Sequence, residues 1–526
     1  MLINARTLTS PTKIDADICI LGAGAAGITL ANELNQHFDK IVLLEAGGEN
    51  YEESIQELYD AHTVSKYYPD PKESRLRYLG GATNHWANNT SPFSPIDFEK
   101  RSWVSNSGWP FGYDAIQPFY LKAAKYCQTG EDGYEANHWL SKLKKDNLLN
   151  SATNCELAIA KASVPPTRFY QTHGQALVDS KNVIVYKYAN VSDMNFETES
   201  KDVKSITFSA YNGIDHTVHA TKFIMCFGGL ENARMLLHFN SKYKNKLGNS
   251  KDNVGRYFMD HPTLNAAQIF SDRDELNSMS AMDRQRYIVS FFQLKESTLI
   301  ENETINLRMP VVAANEYQMS DGISSFHILK QAFKNFALPD DFGTHVGNFI
   351  TDVDMVIEAV ARKQFDSSVF DGANENVGFQ IPMMVEQTPH RNNRITLAKR
   401  KDRMGIPKLN VHWELQQNDI DSMWKSLALF GQDLGATSLG RIKLLKERST
   451  RLFGDQLGFG HHHMGTTRMS DSEETGVVDP NQLVFGTNNF YIAGCSVFPT
   501  GSHVPPTLTI VATTIRLAEY LKRQTS

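Results

Sequence analysis

The run Asp17-Ile-Cys-Ile-Leu21-Gly22-Ala-Gly24-Ala-Ala-Gly27-Ile28-Thr-Leu-Ala31-Asn-Glu-Leu34 decides the fold. Ile18 to Leu21 is apolar without alternation, as suits a strand buried on both faces of a parallel sheet. Three glycines follow at once, and Ile28, Ala31 and Leu34 then recur at helical spacing. In a strand, turn, helix order the glycines have separate tasks. Gly22 permits the tight turn, Gly24 lets a pyrophosphate approach the backbone, and Gly27 allows helix and strand to pack closely. The free amides and positive dipole at the helix start attract the anion. A second apolar strand, Lys40-Ile-Val-Leu-Leu44, ends in Glu45, 18 residues beyond Gly27, where a carboxylate accepts ribose hydroxyls. The whole predicts dinucleotide binding, and to this point FAD and NAD fit equally.

Outward from this unit, the 526 residues exceed one simple core, so two or more domains or one large domain with insertions are expected. Hydrophobic residues at 41% and charged residues at 21% describe an ordinary soluble globular chain. A net charge of -6 with no long basic run leaves no footprint for nucleic acid, which favours a small-molecule partner. Five cysteines (Cys19, Cys127, Cys155, Cys226, Cys495) are scattered among mostly apolar neighbours, the pattern of buried thiols in a reducing compartment. Lys13 precedes an apolar run, but a glycine turn stands where a signal peptide needs its apolar helix. No uninterrupted apolar span reaches membrane length. A cytoplasmic protein without a membrane span is the expectation.

Two further segments carry a family resemblance. Glu45-Ala-Gly-Gly48 and Leu79-Gly-Gly-Ala-Thr-Asn-His85-Trp86 resemble the glucose-methanol-choline (GMC) oxidoreductases, and the His-Trp version is most similar to their pyranose oxidase and sugar dehydrogenase branch. The resemblance implies FAD as the dinucleotide. It also implies an α/β fold: a Rossmann-like FAD-binding domain with a discontinuous substrate domain built on an antiparallel sheet plus helices. The loop from Arg77 to Asn89 mixes glycine, small polar and aromatic residues, a surface suited to an isoalloxazine ring. Gly80, Gly81, Asn84 and His85 are its cofactor-binding candidates. The resemblance implies covalent attachment of FAD through His85; packing beside a dissociable FAD is the alternative. Ala87 lacks the hydroxyl of the threonine that pyranose oxidases carry there, which favours dehydrogenase over oxidase behaviour.

Strands are predicted at Val183 to Tyr188, Ser205 to Ser209 and Thr217 to His219, with Asn212-Gly213 as a hairpin turn. Lys222 to Cys226 then leads through Gly228-Gly229 into a helix from Leu230 to Leu237. This unit resembles the family motif beside the FAD pyrophosphate, and Val191 matches a position whose backbone meets the adenine. Asn253 to Pro262 resembles a family segment near the flavin, where His261 before a proline reads as a turn residue. Strands are expected at Arg286 to Leu294 and Thr304 to Ala313, and helices at Ala115 to Cys127, Ile323 to Phe336, Met355 to Phe365 and Ile420 to Leu434. The predicted division is FAD binding in 13–95, 181–262 and 458–526, a connecting segment in 96–180, and substrate binding in 263–457.

Oxidising an alcohol at a flavin requires a base beside the reacting edge, and imidazole titrates near neutrality. Of His461, His462 and His463, His462 stands three residues before Gly465-Thr466, matching the family's His-x-x-Gly-Thr catalytic motif. It is the predicted base. No metal is predicted, because adjacent side chains of a strand alternate faces and no paired cysteine or carboxylate stands at ligand spacing nearby. Tyr491-Ile-Ala-Gly494 resembles the start of the third FAD contact segment. Thr507 opens a helix to about Lys522 whose amides point at the flavin's pyrimidine end. Immediately before Pro506-Thr-Leu-Thr509, pyranose oxidase-like relatives carry an asparagine that grips the substrate hydroxyl; here Pro505 stands there. His503 is either the replacement second catalytic group or a turn histidine. The expected function is an FAD-dependent oxidation of an alcohol, a secondary hydroxyl of a sugar, glycoside or sugar-like cyclic compound. Electrons would pass to oxygen, a quinone or a redox protein. Alternatives on the same fold are a desaturation, a redox-neutral rearrangement, or a catalytically weak flavin-binding subunit.

Overall fold

A computed structural model describes residues 1–65, 67–315, 319–334, 338–339, 342–361, 378–445 and 457–524. The buried run at the amino terminus forms the strand Lys13–Leu21 at the centre of the parallel part of a mixed sheet. On one side it pairs with Ile41–Leu44, which pairs with Val183–Lys187, which pairs with Leu2–Asn4. On the other it pairs with Asp215–Met225. Ile18, Cys19, Ile20 and Leu21 are wholly buried, as a strand covered on both faces must be. The helix Ala25–Leu34 follows the glycine turn and packs against the carboxyl-terminal helix Thr507–Arg523, bringing the chain ends together.

Two local expectations are corrected, and one strand is added. The runs Thr217 to His219 and Lys222 to Cys226 are one strand, because Lys13–Leu21 pairs along almost its whole length. Its other edge changes partner midway, from Asp202–Ser209 to Phe490–Ile492. The stretch Thr304 to Ala313 divides into Leu307–Arg308 and Val312–Ala314, on either side of Pro310, which has no amide hydrogen for a ladder. Cys155–Ser163, unread in the sequence, is a strand paired antiparallel along its whole length with Arg286–Leu294. The helices expected at Ile323 to Phe336 and Met355 to Phe365 are Asp321–Lys334 and Val353–Ala361, their remaining residues lying outside the described ones.

A second sheet is antiparallel. Pro262–Phe270 pairs with Gly378–Val385, Arg441–Leu444 and Gly458–Phe459, and Gly378–Val385 also carries Leu307–Arg308 and Val312–Ala314. The helix Gln417–Ala436 covers it through Ile420, Met423, Leu427, Phe430 and Leu434, spaced three or four apart on its buried face. The architecture is therefore α/β, with one core around the parallel sheet and another beneath the antiparallel sheet.

Candidate active site

A cleft of about 720 Å³ is lined by residues of both regions, among them Gly22, Glu45 and Gly228 from the first and Arg308 and Met384 from the second. The three glycines of the first turn differ in their surroundings. Gly22 has φ +104°, and a Cβ on it would stand 2.8 Å from the Cys226 carbonyl oxygen. A Cβ on Gly27 would lie 1.9 Å from the Gly22 carbonyl oxygen, so this position is closed by packing. Gly24 has nothing within 4 Å of where its Cβ would be, leaving open space over the turn. Three helices, Ala25–Leu34, Gly229–Asn240 and Thr507–Arg523, have residues of their first turns or caps at this cleft, and none has a side-chain N-cap hydrogen bond. Their first amides and dipoles supply partial positive charge without a fixed counter-group. That suits a pyrophosphate and an electron-accepting ring.

Glu45 lines the cleft and accepts hydrogen bonds from the Ala23 amide (2.9 Å) and the Gly47 amide (3.0 Å). Each oxygen keeps a second lone pair for a hydroxyl. Gly81, His85, Val191, Gly228, Gly494 and Thr507 also line the cleft. Gly27, Gly80 and Asn84 do not. The Gly80 amide donates to the Ala23 carbonyl (2.8 Å), and Asn84 Nδ2 donates to the Leu79 carbonyl (2.9 Å), so these two brace the loop that presents its neighbours. The open backbone over Gly24 and Gly228, the buried carboxylate and the uncapped helix starts fit FAD.

The three consecutive histidines do not lie on a strand. His461 is exposed with a left-handed backbone, φ +57°, and this kink sends the side chains apart. The strand alternation expected from sequence is thus replaced by a turn. His463 is buried with Nε2 3.4 Å from Ser74 Oγ. His462 is held from behind. Met259 and Met464 exchange backbone hydrogen bonds (3.0 and 2.9 Å), and this antiparallel bridge sets His261 beside His462. The two Nδ1 atoms are 2.8 Å apart. Asp260 Oδ1 accepts the backbone amides of His261 and His462, each at 2.7 Å, and Oδ2 accepts the Tyr68 hydroxyl at 2.6 Å. Gly460 makes room, because a Cβ there would stand 2.7 Å from His462 Nδ1.

This network assigns the protons. His261 Nε2 lies 3.1 and 3.0 Å from the carbonyl oxygens of Gly501 and Ser502, so it carries the hydrogen. Burial lowers the His261 pKa to about 4, and the neutral ring then has a bare Nδ1. His462 must donate its Nδ1 hydrogen to that lone pair, which leaves His462 Nε2 as an acceptor. Burial, followed by the neighbouring histidines and Arg308, holds His462 well below the ordinary imidazole range. His261, read in the sequence as a turn residue, is therefore the positioning partner of His462. No local signal marks it, since the partners are 201 residues apart.

His503 is corrected in the opposite sense. It does not line the cleft; its Nε2 lies 3.0 Å from Gln293 Oε1 and its Nδ1 3.4 Å from Ser502 Oγ. Pro505 and Pro506 line the cleft instead, so the turn presents proline rings where a second polar group was expected. Consecutive prolines restrict the backbone and contribute no amide hydrogens, which leaves His503 on the sheet side of the turn.

Residues 389–514 match the family model described as GMC oxidoreductase. A 2-methyl-1,2-propanediol dehydrogenase of Mycolicibacterium austroafricanum is 21% identical over 98% of this chain and 97% of its own. The fructose dehydrogenase large subunit of Gluconobacter japonicus is also 21% identical, over 97% and 98%. Among solved structures, a formate oxidase superposes with a TM-score of 0.59 at 15% identity, covering 98% of this chain and 99% of its own, which shows a shared fold. The family match takes in the segment that carries His462 and the helix start at Thr507, and the two dehydrogenases align with the chain from end to end, so residues 389–514 form a GMC oxidoreductase domain and the chain as a whole is similar to dehydrogenases that act on alcohols.

Proposed function

We propose that the protein oxidises a secondary hydroxyl of a sugar, glycoside or sugar-like cyclic alcohol, with His462 as the base. The observation that carries this is the 2.8 Å contact between the Nδ1 atoms of His261 and the cleft-lining His462, from which Nε2 of His462 follows as the acceptor. Bound FAD supplies the acceptor for the carbon-bound hydride. The protein's own work is to hold FAD at Gly22, Gly24, Glu45, Val191, Gly228, Gly494 and Thr507, and to take the hydroxyl proton on His462. The protonated ring would be stabilised by passing its Nδ1 hydrogen bond to His261 and onward to the Gly501 and Ser502 carbonyls. His503 has no direct role in this proposal. The sugar preference is supported by the similarity to fructose dehydrogenase and by the Leu79 to Trp86 loop. We further propose that segments 13–95, 181–262 and 458–526 build the FAD lobe, 96–180 connects, and 263–457 forms the substrate wall. Ala87, which lines the cleft, favours a quinone or redox protein over oxygen as acceptor. Among the described residues no helix is long and apolar enough to cross a membrane, and all five cysteines are buried and free, which supports a reducing, cytoplasmic setting.

Anaerobic mixing with a sugar and polyol panel should bleach the flavin and yield a ketone two hydrogens lighter than the substrate. Bound FAD that no alcohol bleaches would sink the reading, and a carbon-carbon double bond in the product would replace it with desaturation. His85 lines the cleft and is exposed within it. We expect denatured wild-type protein to keep its flavin and His85→Ala to release it; release from both shows a dissociable cofactor.

His261 has its own test. His261→Phe removes the Nδ1 acceptor at similar volume, and flavin reduction should slow about 10- to 100-fold with FAD retained. His261→Asn, which keeps an acceptor near that place, should recover much of the rate. Equal rates in both variants and the wild type would remove His261 from the mechanism.

A further inference from the structure

Arg308 is 6% exposed, yet among the described residues it has no counter-ion. The other buried arginines are all engaged. Arg75 pairs with Glu231, Arg101 with Glu386, Arg234 with Glu231 and Asp402, and Arg286 with Asp132 and Asp283; Arg468 donates to the Asn106 carbonyl. Among the described residues none is hydrogen-bonded or ion-paired to the Arg308 guanidinium, and its Nε is unsatisfied. Its packing partner is the Phe291 ring, 4.7 Å from the guanidinium carbon. Arg308 pairs in register with Met384 on the antiparallel sheet, and both line the cleft that holds His462. Its charge is felt by His462, His261 and His503.

Burying a guanidinium without a partner is strongly unfavourable, and it is tolerated when an anion arrives to complete it. Burial lowers its pKa only to about 10, so the group keeps its charge at neutral pH. A guanidinium offers a planar fork that matches a carboxylate. It reaches the cleft from the antiparallel sheet rather than from the sheet that carries the dinucleotide turn, and that origin assigns the fork to substrate atoms rather than phosphates.

We infer that Arg308 is an anion-recognition residue of the substrate site, and that the alcohol oxidised here carries a carboxylate, as a sugar acid does. One cation for one negative charge favours a carboxylate over a phosphate dianion. This rests on the alcohol-oxidation reading for the reacting hydroxyl, while the anion site itself can be tested without turnover.

The experiment uses FAD-loaded protein, its Arg308→Met and Arg308→Lys variants, and acetate as a non-oxidisable probe. Acetate should perturb the wild-type flavin spectrum saturably. Arg308→Met should weaken that response at least tenfold, with Arg308→Lys intermediate. Because methionine removes a buried unpaired charge at similar size, the Met variant should keep its FAD and melt no lower than wild type. In the anaerobic assay, D-glucuronate should bleach wild-type flavin at lower concentration than D-glucose, and the preference should vanish in Arg308→Met. Three results overturn the inference: no acetate response in the wild type, an equal response in Arg308→Met, or loss of FAD and stability in that variant. If acetate binding depends on Arg308 but no alcohol bleaches the flavin, the anion site stands and the reaction reading fails. If neutral alcohols bleach wild type and Arg308→Met alike without acetate binding, the reaction reading stands and the anion site fails.

Discussion

His462→Ala is expected to slow anaerobic flavin reduction by about a thousandfold while leaving FAD bound, the range set by loss of a positioned general base. The side chain touches the cleft rather than the dinucleotide turn, so cofactor content should hold. The pH dependence has a definite sign. A histidine whose pKa is lowered is the neutral, proton-accepting form above that value and loses this form as pH falls through it. In the wild type, kcat/KM should therefore stay level from about pH 6.5 upward as far as His462 governs it, and fall only in more acid solution. A base with an ordinary pKa would already have lost half its rate near pH 6.5. Stopped-flow reduction across pH decides between them, and an unchanged rate in His462→Ala would dismiss this residue as the base.

The second large effect is at the glycine turn, where two neighbouring substitutions should separate packing from cofactor binding. Gly27→Val places a carbon where even a Cβ would be 1.9 Å from the Gly22 carbonyl oxygen, which forces the strand and helix apart. Overpacking of this type costs about 1–3 kcal/mol or more. The first turn should open, Tm should fall, and the protein should be purified without flavin. Gly24→Ala meets no protein atom within 4 Å, so the apoprotein should melt as the wild type does. Its methyl group would nevertheless occupy the room left for a pyrophosphate, and FAD should bind at least about tenfold more weakly, equivalent to about 1.4 kcal/mol. Thermal melts of apoprotein with FAD titrations separate the two. Full FAD affinity in Gly24→Ala would show that the cleft is used in another way.

Much of this was legible in one dimension because the physics is local. Gly22, Gly24 and Gly27 stand within one turn and its helix, and the burial of Ile18 to Leu21 follows from an apolar run that could not face water. Thr507 could be placed because Pro506 suits a helix start. Where contacts outside the run decide the outcome, the reading failed. Thr217 to Cys226 is a single strand only because Lys13–Leu21 lies beside it. Cys155–Ser163 is a strand only because Arg286–Leu294 covers its edge.

The sequence by itself determined the dinucleotide turn, the α/β class and His462 as the histidine to test. Local sterics, apolar periodicity and a family motif all act over a few residues, and a linear reading can hold them. Only the tertiary structure decided what each histidine does. His261 lies 201 residues from His462, and a bridge between Met259 and Met464 brings them together to set the proton on one nitrogen and leave the other bare. The same folding turns His503 onto Gln293 and leaves Arg308 in the cleft wall without a counter-charge among the described residues. Tautomer, orientation and an unpaired charge are properties of neighbours in space.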